Sequence, residues 1–278
     1  MTQVKTYSIE KEALIRVNKP AQTNWYKPVE HEKLIDLTLN GILQSGFELD
    51  KEEYSASQDG LIANGKYTIK NIADNEMQIQ IGWQNSYNKR ISLKWAIGTQ
   101  VFICQNGCVS GNYGHFKRKH VGDVQEFTPR YITEYIKTSE EVFTQMQKDR
   151  DVLKNIEIDR HTTAQLLGEM YFENDFIQST QLNIIKRELD APTHDYGCKN
   201  SMWELYNFCT FAMKSLHPTL WMDSHIDAHN FFTSQAGIIT PIKTIVIPEP
   251  ESPFVQLDLF GELWDKEPLI GEYISNSY

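Results

Sequence analysis

Met77, Ile79, Ile81 and Trp83 take every second position of EMQIQIGW, with Gln78, Gln80 and Gly82 between them. Strand side chains point alternately to the two faces of a sheet, so this spacing predicts a strand with one apolar face. FELDKEEYSAS, LIANGKYTIKNI and RISLKWAIGTQVFICQNG read as strands too, and the turn signals QDG, ADN and SYNK separate the four. Strands joined so closely predict an antiparallel meander over about 47–110.

On either side the period is helical. HEKLIDLTLNGILQSG puts Ile35, Leu39 and Ile42 on one face, with Gly41 expected to weaken the helix and Gly46 to end it. Beyond Gly122, Thr128 followed by Pro129 predicts a helix start, and Ile132, Tyr135, Ile136, Phe143 and Met146 form its apolar stripe. Thr162 with Gln165, and Ser201 with Glu204, read as capping boxes of later helices. The stripe Met202, Leu205, Tyr206, Cys209, Ala212, Met213 and Leu216 assigns Cys209 to a core rather than to chemistry. The expectation is an α+β chain: an antiparallel β-meander sheet, then a helical half over about 128–235, in one domain spanning 1–240. Residues 241–278 read as a proline-rich acidic linker and a flexible C-terminal tail.

Composition narrows the setting. At 278 residues with 40% hydrophobic content the chain can bury a sizeable core. No apolar run approaches a bilayer span and the N-terminus is polar, so no membrane partner is expected and the cytoplasm of a bacterial host is the expected compartment. Four cysteines in such a chain imply reduced thiols rather than a disulfide framework.

Charge is uneven. The net charge is −10, yet residues 77–122 contain no acid and carry +6, leaving −16 on the remainder. That window holds Lys89, Arg90, Lys94, Lys117, Arg118 and Lys119 among Trp83, Tyr87, Trp95, Phe102, Tyr113 and Phe116, with His115 and His120 flanking FKRK. Cations neutralise phosphates and aromatic rings stack on unpaired bases, so Lys89, Arg90, Lys94, Trp95, Lys117, Arg118, Lys119 and His120 form a candidate surface for single-stranded DNA. The plainer alternative is a sheet whose aromatics are core and whose lysines are merely solvated.

Metal and catalytic patterns are weaker. Cys104, Cys108, His115 and His120 could supply four zinc ligands, but their spacing matches no known zinc module and no metal or other cofactor is expected. His225 and His229 stand at i, i+4 without the glutamate of a zinc hydrolase, and half-buried packing residues are the simpler account. No nucleophile elbow, Walker loop or dinucleotide fingerprint is visible, so binding is expected over catalysis.

The run NSYNKRISLKWAIGTQVFICQNGCVSG, then FKRKHVGD, LLGEMYF and NSMWELYNFCTFAMKSL, resembles a family of phage- and plasmid-encoded proteins described as a domain of unknown function. The likeness covers about residues 80–235, with Asn85, Ser86, Cys104, Asn106, Trp203, Tyr206 and Asn207 at its motif positions. Tyr87 and Asn88 stand where the family has histidine and aspartate. The resemblance implies a mobile-element setting and no settled activity. Strands followed by a long helix also resemble the core of single-strand annealing proteins, a likeness of fold alone.

QLDLF, residues 256–260, is similar to the peptide by which bacterial replication and repair proteins dock on the sliding clamp. Gln256 and Leu257 would anchor it and Leu259 and Phe260 would fill an apolar cleft, held clear of the body by Pro248, Pro250 and Pro253. The alternative is that the same apolar residues fold back as an edge strand. The expected function is a mobile-element replication or recombination accessory protein that binds single-stranded DNA and the bacterial sliding clamp, with strand annealing and homo-oligomerisation left open. The rivals are a clamp-binding interaction protein that never touches DNA, whose cations would scatter over opposite sheet faces, and a metal-dependent enzyme acting on nucleic acid.

Overall fold

The computed structural model describes residues 6–70, 74–103, 106–110, 114–217 and 219–239. The chain divides into two units, Met1–Val246 and Ile247–Tyr278, of which the second lies outside the described residues. Within the first, β1 (Thr6–Ser8), α1 (Lys11–Ile15) and α2 (His31–Gln44) precede β2 (Leu49–Ser57), β3 (Ile62–Ile69), β4 (Met77–Ser86) and β5 (Leu93–Val101). Two short strands follow, β6 (Asn106–Val109) and β7 (His115–Arg118). All pairings are antiparallel in the order β1-β2-β3-β4-β5, with β6 and β7 both pairing β5, at opposite ends of it.

The helical half holds α3 (Val124–Lys137), α4 (Ser139–Lys154), α5 (Arg160–Gly168), α6 (Ser179–Asp190), α7 (Met202–Ala212) and α8 (Trp221–Gln235), with a π-helical turn Glu169–Glu173 after α5. The expected α+β architecture is therefore present, a meander followed by helices. Among the described residues no helix is long and apolar enough to cross a membrane.

Several local expectations shift for identifiable reasons. The helix assigned to Thr128 and Pro129 begins at Val124, so Pro129 lies inside it. Proline has no amide hydrogen, and the Gln125 carbonyl one turn back receives the Lys33 ammonium at 3.3 Å instead. The stripe from Ile132 to Met146 belongs to two helices, α3 and α4, that meet at Thr138. Asp159, not Thr162, caps α5, accepting from the Thr162 amide at 2.7 Å. Ser201 caps α7 as expected, while the Glu204 carboxylate turns back to the Asn200 amide. α2 runs through Gly41 to Gln44, and a Cβ at Gly41 would run into the Ile136 side chain, so the glycine lets α3 come close.

The alternation in β4 is real, with Met77, Ile79, Ile81 and Trp83 in the main core beside Trp95 and Ile97 of β5. Helices α2, α3 and α4 cover this face, and Tyr135 of α3 sits edge-on to Trp95 at 5.9 Å. The opposite face is polar but also largely covered: Asn64, Thr68, Gln78, Gln80, Gln84 and Lys94 are all buried. There α8 lays Met222 and Ile226 against Ala96 and Val109, and Lys66 places its ammonium 4.6 Å from the centre of the Trp221 ring.

Candidate nucleic-acid interface

Cross-strand register decides where the window's cations go. Lys94 stands opposite Lys117 on β5 and β7, so both point to the polar face, while Arg118, opposite Leu93, points to the other. They do not share one face. They do share one end, because the β4–β5 turn carrying Lys89 and Arg90 and the end of β7 leading into Lys119 and His120 lie side by side.

Three of these cations have carboxylate partners within the chain. Lys94 is almost fully buried, with its ammonium 2.7 Å from Asp223 of α8. Desolvation lowers its pKa, opposed by Asp223. The same carboxylate oxygen lies 3.4 Å from Lys117, whose side chain is 55% exposed. With His115, Asp227 and Asn230 these residues line a polar cleft of about 340 Å³, in which burial and then Asp223 raise the Asp227 pKa. Arg118 pairs with Asp123 and stacks its guanidinium 3.7 Å from the Phe127 ring centre.

Lys89, Arg90 and Lys119 remain exposed. Lys89 has φ +63, in the left-handed region, and its ammonium covers the Tyr26 ring at 4.7 Å. Asp59 is close enough to Arg90 to feel its charge.

The aromatic half of the expectation needs correction. Trp95 is fully buried, stacked with Phe116 at 6.1 Å, and Trp83 and Tyr87 are buried as well. Packing between sheet and helices takes both indoles, so Trp95 offers no face to a base. His120 is buried beside Tyr26, and desolvation lowers its pKa against the pull of the Ile91 backbone. Of the window's aromatics Trp83, Tyr87, Trp95 and Phe116 are buried, Phe102 is exposed at the far end of β5, and Tyr113 lies outside the described residues; an aromatic outside the window is more exposed, Trp25, at 86%, preceding Tyr26 in the segment that crosses this end of the sheet. Charge counting misses it because the surrounding sequence is neither basic nor periodic.

The candidate zinc ligands do not gather. Cys108 is buried on the apolar face, in register with Thr99, whereas His115, opposite Ala96, belongs to the polar face. Cys104 lies outside the described residues, and among those described no three potential ligands converge. His229 packs in the helical half, 3.2 Å from Asp149 on one side and 3.2 Å from the Tyr206 hydroxyl on the other. His225 lies edge-on to Trp221 at 5.8 Å, and burial lowers its pKa to about 3.

What organises the sheet end is the stretch Asn85, Ser86 and Tyr87. The Asn85 amide donates to the Val29 carbonyl at 2.8 Å and to Nδ1 of His31 at 3.0 Å. The Ser86 hydroxyl donates to the Ile91 carbonyl at 2.8 Å, closing the turn that presents Lys89 and Arg90. The Tyr87 hydroxyl accepts from the His31 amide at 2.8 Å, and the two rings stack at 3.9 Å. Burial holds the His31 pKa down at about 4, with the Gly60 carbonyl opposing.

Fold and site thus define an α+β protein whose antiparallel sheet ends in a turn braced by buried polar side chains and fringed with cations. Residues 22–219 match the model of a domain of unknown function, DUF932, and the chain belongs to that family. No curated protein and no solved structure matches the chain. Residues 256, 257, 259 and 260, which carry the clamp-peptide expectation, lie outside both the described residues and the matched segment.

Proposed function

We propose that this protein is a mobile-element replication or recombination accessory protein that holds single-stranded DNA at the β4–β5 end of its sheet and docks on the bacterial sliding clamp through Gln256, Leu257, Leu259 and Phe260. The observation that carries the DNA part is the convergence of Lys89, Arg90 and Lys119, all exposed, on one end of the sheet. Three solvated cations there suit a phosphate backbone that passes over the end rather than along a face. The clamp part rests on the sequence QLDLF, whose residue types suit a short docking peptide and which lies outside the described residues.

A second reading has its own support. Lys94 and Arg118 are neutralised on opposite faces and Trp95 is buried, the arrangement expected of a clamp-binding protein that makes no use of DNA. One pair of measurements separates the two. A peptide of residues 249–265 should bind the clamp with micromolar affinity and lose it when Leu259 and Phe260 become alanine, on either reading. Only the first predicts that the intact protein binds an oligothymidylate with affinity that falls steeply as salt rises. Clamp binding without oligonucleotide binding selects the second, and a peptide that ignores the clamp removes QLDLF from both.

A further inference from the structure

Residues 26–29 are each tied to the sheet end or to α3 beside it, and a turn from Thr23 to Tyr26 precedes them. Thr23 Oγ1 accepts from the Tyr26 amide at 3.0 Å, and the Tyr26 hydroxyl donates to the Tyr87 carbonyl at 3.0 Å. The Lys27 amide donates to the His120 carbonyl at 2.8 Å, the Gln125 side chain to the Pro28 carbonyl at 2.7 Å, and Asn85 to Val29 as described. These bonds anchor the chain just after Trp25, the Thr23–Tyr26 turn holds the residues before it, and the indole is left in solvent. The next ring along, Tyr26, is the one Lys89 covers, and Arg90 and Lys119 flank the same end. An exposed aromatic face next to a ring that a cation covers can stack on a base while cations at the same end meet the phosphates on either side.

We propose that Trp25 is a stacking platform for one unpaired nucleobase, with Lys89, Arg90 and Lys119 gripping the adjoining phosphates of a single DNA strand. This rests on the single-strand reading above and adds a residue and a binding mode to it. A duplex does not satisfy the geometry, because its bases present no free face to the indole. The charge around Trp25 favours a polyanion over an apolar protein partner as its occupant.

The test uses the full chain with Trp264→Phe as background, so that the exposed indole of the body dominates the change in emission. Fluorescein-labelled oligothymidylate should quench tryptophan emission on binding, and the quench should vanish in Trp25→Phe. Trp25→Ala should weaken affinity roughly tenfold. Its salt dependence should stay unchanged, since stacking releases no counterions, whereas Lys89→Ala should flatten that dependence. Trp25→Phe should recover part of the affinity, which a loss through misfolding would not do. If the parent protein binds and Trp25→Ala binds equally well, the platform is refuted while the single-strand reading survives. If the parent protein does not bind any single strand, both fall. An oligouridylate bound more than about tenfold tighter than the DNA would overturn the assignment to DNA, since the 2′-hydroxyl would then be part of recognition.

Discussion

The cleft beneath α8 and the turn between β4 and β5 draw on the same six cations and use them in opposite ways. In the cleft, Lys94 is desolvated against Asp223 and contributes to holding a helix on a sheet. At the turn, Lys89 and Arg90 stand in solvent, and what holds the turn is neutral: Ser86, Asn85 and a stacked His31–Tyr87 pair. A cation is available to a ligand only where other groups do the structural work, and here buried polar side chains free the cations at the turn.

Acidification should give the largest effect, because both regions rely on histidines that stay neutral. His31 at about 4 and His225 at about 3 are depressed below their unfolded value near 6.5. The unfolded chain therefore binds more protons between these limits, and stability rises with pH across the window. It should be fully present above about pH 6.5 and be lost progressively as pH falls toward 4, by about 3 kcal/mol for His31 alone. Urea unfolding at stepped pH measures this, and His31→Gln should flatten the slope while lowering stability at pH 7. A slope unchanged in that variant would place the buried proton linkage elsewhere.

Next in size is Asp223→Asn, which leaves the Lys94 ammonium buried without its counter-charge. Removing one partner of a fully buried pair costs about 3–5 kcal/mol, and the partial exposure of Asp223 reduces this to about 2 kcal/mol, which urea unfolding at pH 7 would read. The smallest effect on stability belongs to the triple change of Lys89, Arg90 and Lys119 to alanine, within about 0.5 kcal/mol because all three are exposed. The same triple variant should reduce the salt slope of oligonucleotide binding by about 2, at roughly 0.7 for each single-strand phosphate that goes without its cation. A triple variant that melts several degrees lower would erase the contrast between cleft and turn.

The fold is legible in the sequence where one physical rule acts alone. The period of two in β4 reflects its apolar face, and the stripe of α7 reads correctly as core although that helix is buried nearly all round. The short strands β1 and β7 are not visible, because three or four residues carry too little pattern, and β7 reads as a basic run. The second sheet face is hidden for another reason: Gln78, Gln80 and Gln84 are polar yet buried, α8 packs on the same face against Ala96 and Val109, and no local pattern announces a helix arriving from more than 100 residues away. For the site, the sequence identifies the right cations without their order. Register separates Lys117 from Arg118, and long-range packing brings Tyr26, the neighbour of Trp25, to Lys89. The Asn85–Ser86 motif reads as family likeness, and only the hydrogen bonds reveal it as a brace.

The margins of the sheet carry a different consequence. At one side β1 is three residues long, and at the other β6 and β7 divide the exposed rim of β5 into two four-residue pieces. Among the described residues, the β5 margin is broken in two, whereas β1 pairs only residues 55–57 and leaves residues 49–54 of β2 without a strand on that side. Sheet extension by another molecule would be confined to that stretch of β2, and there Lys51, Glu52 and Glu53 stand exposed, charges that an incoming strand would have to accommodate.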